Sequence, residues 1–137
     1  MTSPLPILIG GEWRAGRGRV TASRNPATHE VIAEVATANA DDVNDAVAAG
    51  VRAMSDPAWR DLRPHERAAY LHKVSALISE RHEDLAQLQM RDNGKGIAET
   101  RGLAASAAGT FRYFAAVLET MESELTPPRG PYLTMSV

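Results

Sequence analysis

Two periodicities divide the chain. Over residues 1–36 the apolar positions come in short extended runs punctuated by glycine. Ile7-Leu8-Ile9 ends at Gly10-Gly11, Glu12-Trp13-Arg14 follows, and residues 20–24 and 31–35 repeat the pattern. Gly-Gly is a hairpin signal, because glycine reaches positive φ without a Cβ clash. Further turns are predicted at Gly16-Arg17-Gly18 and at Asn25-Pro26-Ala27-Thr28. Residues 1–36 therefore read as a small antiparallel β meander.

From residue 37 the spacing becomes helical. Asn39 is placed to cap a helix whose first turn carries Asp41 and Asp42, where the helix dipole favours negative charge. Val43, Ala46, Val47, Val51 and Met54 form its apolar face. Ser55-Asp56-Pro57 ends it, and Pro64 suits the first turn of the next helix. Leu71, Val74, Leu77, Ile78, Leu85 and Leu88 are the expected buried side of that long run, with a break near residues 81–83. Asn93-Gly94 is a helix stop. A third helix over residues 97–123 carries Ala104, Ala107, Phe111, Phe114 and Val117, while Gly102, Ala105, Ser106, Ala108 and Gly109 keep one side small. Glycine inside a helix costs roughly 1 kcal/mol against alanine, so a close-packed neighbour is expected there.

Residues 127–131, Pro-Pro-Arg-Gly-Pro, break that helix. Residues 132–137 then alternate, with Leu133, Met135 and Val137 on one face, as in a half-buried strand. An unpaired apolar strand is an aggregation liability, so this segment is expected to find its partners elsewhere. Three regions follow: a β meander (1–36), a helical layer (37–123) and the start of a truncated arm (124–137). The class is α/β, incomplete as a domain.

Composition narrows the chemistry. Aromatics are only 5% of the chain and much of the apolar share is alanine, which predicts a thin core with helices in close approach. Fifteen Lys and Arg against 17 Asp and Glu give a net charge of −2, which offers no broad pull toward nucleic acid or membrane. The absence of cysteine removes disulfides, thiolate metal sites and a cysteine nucleophile. No apolar run reaches membrane-spanning length and the first residues lack a secretory pattern, so the expected compartment is the cytoplasm.

No local motif carries catalysis. A dinucleotide loop needs its glycines between a strand and a helix, whereas Gly10-Gly11 and Gly16-Arg17-Gly18 lead into strands. His29, His65, His72 and His82 lack the spacing of a helical zinc site. Arg17, Arg19 and Arg24 make a weak basic patch with no interleaved aromatic, and read as a solvated hairpin. The segment Asp92-Asn93-Gly94-Lys95 is more informative. Helix termination explains Gly94 and Lys95, but Asp92 is a negative charge at the unfavourable helix end. It calls for a cation nearby.

Several segments, in order, resemble the N-terminal quarter of an aldehyde dehydrogenase. They are Ile9-Gly10-Gly11-Glu12-Trp13, residues 25–32, Pro57-Ala58-Trp59-Arg60, Pro64-His65-Glu66-Arg67, Leu85-Ala86-Gln87-Leu88, Asp92-Asn93-Gly94-Lys95 and Phe111-Arg112-Tyr113-Phe114-Ala115. The likeness is greatest to bacterial members, including those acting on betaine-type aldehydes. Gly96 departs from the proline usual after this lysine. The resemblance implies a Rossmann-like domain whose outer helices lie here, NAD or NADP bound by the full enzyme but not by this chain alone, and a terminal strand belonging to an oligomerisation arm. Its partners are then the remainder of the dehydrogenase or further copies of the enzyme. The resemblance also implies a structural Na+ or K+ held by Asp92 and the main-chain oxygens of Ser23 and Arg24. In the family a cysteine thiolate attacks the aldehyde, hydride passes to NAD(P)+, and a glutamate-activated water hydrolyses the thioester. None of those residues falls in this sequence, so an alternative is a standalone non-catalytic subunit that completes a split dehydrogenase.

Overall fold

The computed structural model describes residues 3–121, 125–126 and 134–135. Gly10 and Gly11 adopt φ of 63° and 85° and join β1 (Ile7–Ile9) to β2 (Glu12–Arg14) in the predicted tight hairpin. β3 (Val20–Arg24) and β4 (Val31–Ala36) form a second antiparallel pair. The two hairpins are separate two-stranded sheets rather than one meander, since β2 does not pair with β3. Instead Leu5 lies parallel to β4: its N–H donates to the Glu34 carbonyl at 2.8 Å, and it accepts from the Ala36 N–H at 3.2 Å. Gly16 and Gly18 are required by close approach, because a Cβ would sit 2.3 Å from the Thr37 carbonyl oxygen at Gly16 and 2.5 Å from Thr37 Oγ1 at Gly18.

Helix α1 (Ala40–Ser55) begins at the Asn39 cap. Pro57 opens the short α2 (Pro57–Arg60). The long run that follows breaks at Arg81 into α3 (Pro64–Glu80) and α4 (His82–Asn93). α5 (Ile97–Glu119) is shorter at its end than the sequence pattern suggests. Helices α3 and α4 both pack on α5.

The seam between them is built from small side chains. Thr100, Ala104, Ala108 and Ala115 are buried on α5, facing a layer that buries Ala68 and Ser75 on α3 and Ala86 on α4. Their spacing keeps them on one helix face. The Ser75 hydroxyl donates to the Ala108 carbonyl at 2.8 Å across the seam, which only such close approach permits. The thin core expected from composition is therefore present, but its residues are alanines rather than the leucines of the sequence pattern.

Three expectations about faces are corrected. Val43, Val47, Val51 and Met54 of α1 are all more than half exposed, because the neighbours of α1 are chiefly β1 and α2. Leu77, Leu85 and Leu88 are likewise exposed. Among the described residues Gly102 and Gly109 have no close neighbour: a Cβ at either position meets none of their atoms within 4 Å. β5 (Leu125–Thr126), not foreseen from the pattern, pairs antiparallel with β6 (Thr134–Met135). The breaker at 127–131 and the remainder of the alternating 132–137 segment lie outside the described residues.

Candidate functional site

The end of α4 meets the turn after β3. Gly94 takes the left-handed conformation (φ 73°, ψ 10°) and its N–H donates to the Met90 carbonyl at 3.0 Å, closing the helix. A Cβ on this residue would lie 2.6 Å from Pro26 Cγ, so glycine is needed twice, for its φ and for contact with the proline ring. The turn is itself fixed. Asn25 Oδ1 accepts from the Ala27 N–H at 2.9 Å, the Asn25 N–H donates to the Glu30 carbonyl at 2.9 Å, and the His29 N–H donates to the Asn25 carbonyl at 2.8 Å. His29 adopts a φ of 61° there.

This docking brings Asp92 to β3, where the Ser23 hydroxyl donates to Asp92 Oδ1 at 2.9 Å. Two of the three residues expected at a cation site thus touch, through a side chain rather than the main-chain oxygen foreseen. Arg24 is next in the strand, where the register shifts so that Ile32 on β4 is an extra residue. The Arg24 guanidinium donates to the His29 carbonyl at 3.1 Å and is thereby tied to the turn. Among the described residues no ion pair reaches Asp92. The oxygens brought together here are the Asp92 carboxylate and the Ser23 hydroxyl, of the kind that hard cations take. No group of three His, Cys, Asp or Glu side chains assembles among the described residues, so a zinc-type centre does not fit. Beside Ser23 and Asp92 an apolar groove of about 660 Å³ is lined by Leu5, Ile32, Val35, Ile78, Leu88 and Leu103.

A dinucleotide does not fit the glycines. Gly10 and Gly11 form a strand-to-strand turn, and Gly16 and Gly18 are packed against Thr37. None precedes a helix N-terminus that could face a pyrophosphate.

A second polar cluster was not foreseen. Asp42 is fully buried; it closes a capping box with Asn39, accepting the Asn39 N–H at 3.1 Å while its own N–H donates to Asn39 Oδ1 at 3.0 Å. It also accepts the Arg17 N–H at 2.7 Å, and Arg17 Nε lies 3.1 Å from Oδ1 in an ion pair without hydrogen-bond geometry. Arg17 and Arg14 both reach Asp45, the latter at 3.0 Å. Hydrogen bonding from the Arg17 backbone holds the Asp42 carboxyl below its usual range, and the Arg17 side chain does the same for Asp45. Arg17 is therefore solvated, as expected, and also tied to Asp42 and Asp45. The Asn39-x-x-Asp42 spacing was the available signal.

A sequence model of the aldehyde dehydrogenase family matches residues 13–136. The chain belongs to the aldehyde dehydrogenase family. It is 44% identical over 102 residues to an N-succinylglutamate 5-semialdehyde dehydrogenase of Paraburkholderia xenovorans, a match covering 74% of this chain and 20% of that protein. It is 36% identical over 136 residues to the aminoacetaldehyde dehydrogenase of Pseudomonas aeruginosa, covering 98% and 27%. Among solved structures, the NAD+ complex of a Bacillus cereus aldehyde dehydrogenase superposes with a TM-score of 0.90 at 30% identity, over 97% of this chain and 28% of that one. A betaine aldehyde dehydrogenase from Staphylococcus aureus gives 0.86 at 26% identity, over 93% and 26%. The chain thus spans 20–28% of the length of these aldehyde dehydrogenases. Its mixed α/β architecture is that of the N-terminal portion of their fold. No helix among the described residues is long and apolar enough to cross a membrane.

Proposed function

We propose that this chain is the N-terminal scaffold of a cytoplasmic, NAD(P)+-dependent aldehyde dehydrogenase that oxidises an aldehyde to a carboxylic acid. The observation that carries the reading is the continuous match over 97% of the chain to an aldehyde dehydrogenase of known structure. The chain's own residues supply no cysteine nucleophile, and none of Gly10, Gly11, Gly16 and Gly18 forms a dinucleotide loop. Its share of the work is to hold the β3–β4 hairpin against α4 through Ser23, Asp92, Gly94 and Pro26, and to begin the arm at β5 and β6 through which subunits associate. NAD(P)+ then binds to the rest of the enzyme.

In this reading Asp92 and the peptide oxygens of Ser23 and Arg24 hold a structural Na+ or K+. Support comes from the Ser23 hydroxyl seated on the Asp92 carboxylate, and from the place of that carboxylate at a helix C-terminus, the end that disfavours negative charge. Atomic absorption on the dialysed full enzyme and its Asp92→Ala variant tests the point. Equal cation content in both sinks it.

The reading as a whole is tested by the intact mass of the protein purified from its source, with NAD(P)+-dependent aldehyde oxidation assayed on the same sample. A mass several times 14.8 kDa with activity is expected. A mass of 14.8 kDa without activity overturns it in favour of a non-catalytic subunit that completes a split dehydrogenase.

A further inference from the structure

Of the four asparagines, Asn25 precedes proline, Asn39 precedes alanine, Asn44 precedes aspartate and only Asn93 precedes glycine. An Asn-Gly pair is chemically labile because the glycine nitrogen reaches the carboxamide carbon with no Cβ in the way. In that reaction hydroxide removes the Gly94 N–H proton and the nitrogen attacks Asn93 Cγ. The new N–Cγ bond forms as the Cγ–Nδ2 bond breaks, and ammonia leaves with a proton from water. Water then opens the resulting succinimide at either carbonyl, leaving aspartate or isoaspartate at position 93. The net change is water in and ammonia out, with no oxidation.

The geometry treats the two reacting groups differently. Asn93 is exposed, so water and hydroxide reach it. Its Oδ1 accepts the Lys95 N–H at 3.0 Å, which places a donor on the oxygen that gathers negative charge during attack. The electrophile is therefore already polarised. The nucleophile is withheld: the Gly94 N–H is spent on the Met90 carbonyl at 3.0 Å, and the residue is fixed against the Pro26 ring. We propose that Asn93–Gly94 is a gated deamidation site, in which the helix-closing bond and the Pro26 contact hold the reaction back.

Reaction there strikes the joint between hairpin and helices. A new carboxylate adjoins Asp92 at the end of α4, the end that disfavours negative charge. Isoaspartate also inserts a methylene into the backbone just before Gly94. Gly94 then leaves Pro26, and the Ser23–Asp92 bond loosens with it.

Peptide mapping by mass spectrometry during incubation in mildly alkaline buffer tests the proposal. The protein as purified is compared with a short peptide spanning residues 91–97. Expected is conversion at Asn93 ahead of Asn39 and Asn44, at a rate at least about tenfold below the peptide's, the factor that ~1.4 kcal/mol of local opening supplies. Pro26→Ala and Ser23→Ala should each raise the native rate toward the peptide's while circular dichroism stays native. If Pro26→Ala fails to fold, Ser23→Ala carries the test, since it leaves the turn intact. Equal rates in protein and peptide overturn the proposal. So do native rates unchanged by the variants, or earlier conversion at Asn39 or Asn44.

Discussion

At the scale of single residues, Gly94 shows what a sequence motif can and cannot reveal. Its role as a helix stop is legible from Asn-Gly after a helical run, and the structure bears it out with a φ of 73°. Its second role is not legible, because Pro26 lies far away in sequence and only the fold brings it to 2.6 Å from the missing Cβ. The two roles are separable. Gly94→Ala should cost about 1–2 kcal/mol from the left-handed conformation alone, plus strain against a rigid proline ring. Pairing it with Pro26→Ala should recover the strain and leave the conformational part. Urea midpoints of the two single variants and the double variant measure this; strictly additive losses would show that the residues do not press on one another. Asp42 teaches the same lesson. Its first-turn position reads directly from the sequence, but its burial under Arg17 needs the bend at Gly16 and Gly18, which brings a distant backbone N–H onto the carboxylate.

At the scale of elements, strands β1 to β4, the breaks at Arg81 and Gly94, and the capped start of α1 all follow from local patterning. The choice of buried face does not. Leucine spacing points to Leu77, Leu85 and Leu88, whereas the packed seam runs through Ala68, Ala86, Ala104, Ala108 and Ala115. Helical spacing identifies an apolar face but not which neighbour covers it, and a chain with several apolar faces can bury only some of them. Ala108→Leu should therefore destabilise by about 1–3 kcal/mol through overpacking, since Ala108 is 4% exposed and its carbonyl receives the Ser75 hydroxyl. Thermal unfolding checks it, and a tolerated leucine would mean that α3 and α5 can separate freely. The α4–α5 contact adds a pH dependence. Arg101 forms two hydrogen bonds to Glu83, at 2.9 and 2.8 Å, and with help from Gln87 lowers its pKa from 4.5 to about 2. A depressed folded pKa means that this pair's stabilisation is fully present above pH 4.5 and is lost as pH falls toward about 2. Both side chains are about half exposed, so the effect is small and weakened by salt. The melting temperature of Glu83→Gln should fall less than that of the unmodified protein across this window, and parallel curves would remove the pair as a contributor.

At the scale of the whole molecule, surface area indicates how much of the fold is uncovered. A folded monomer of this mass exposes about 7,000 Å² by the usual area–mass relation, whereas this chain exposes 10535 Å². The excess is larger than the ~800 Å² that one partner contributes to a standard interface. It includes the valine face of α1 and the exposed leucines and aromatics of α3, α4 and α5. The helix glycines offer a test of what covers this surface. Among the described residues a Cβ at Gly102 meets nothing within 4 Å, so Gly102→Ala in the 137-residue chain should raise stability by about 1 kcal/mol through helix propensity. In the complete aldehyde dehydrogenase proposed above, a neighbour packed close on α5 makes the same methyl group an overpacking defect, and the sign reverses. Chemical denaturation of both proteins with and without the substitution decides the matter. A gain in each would mean that Gly102 faces water in the full enzyme as well, and that no layer covers this side of α5.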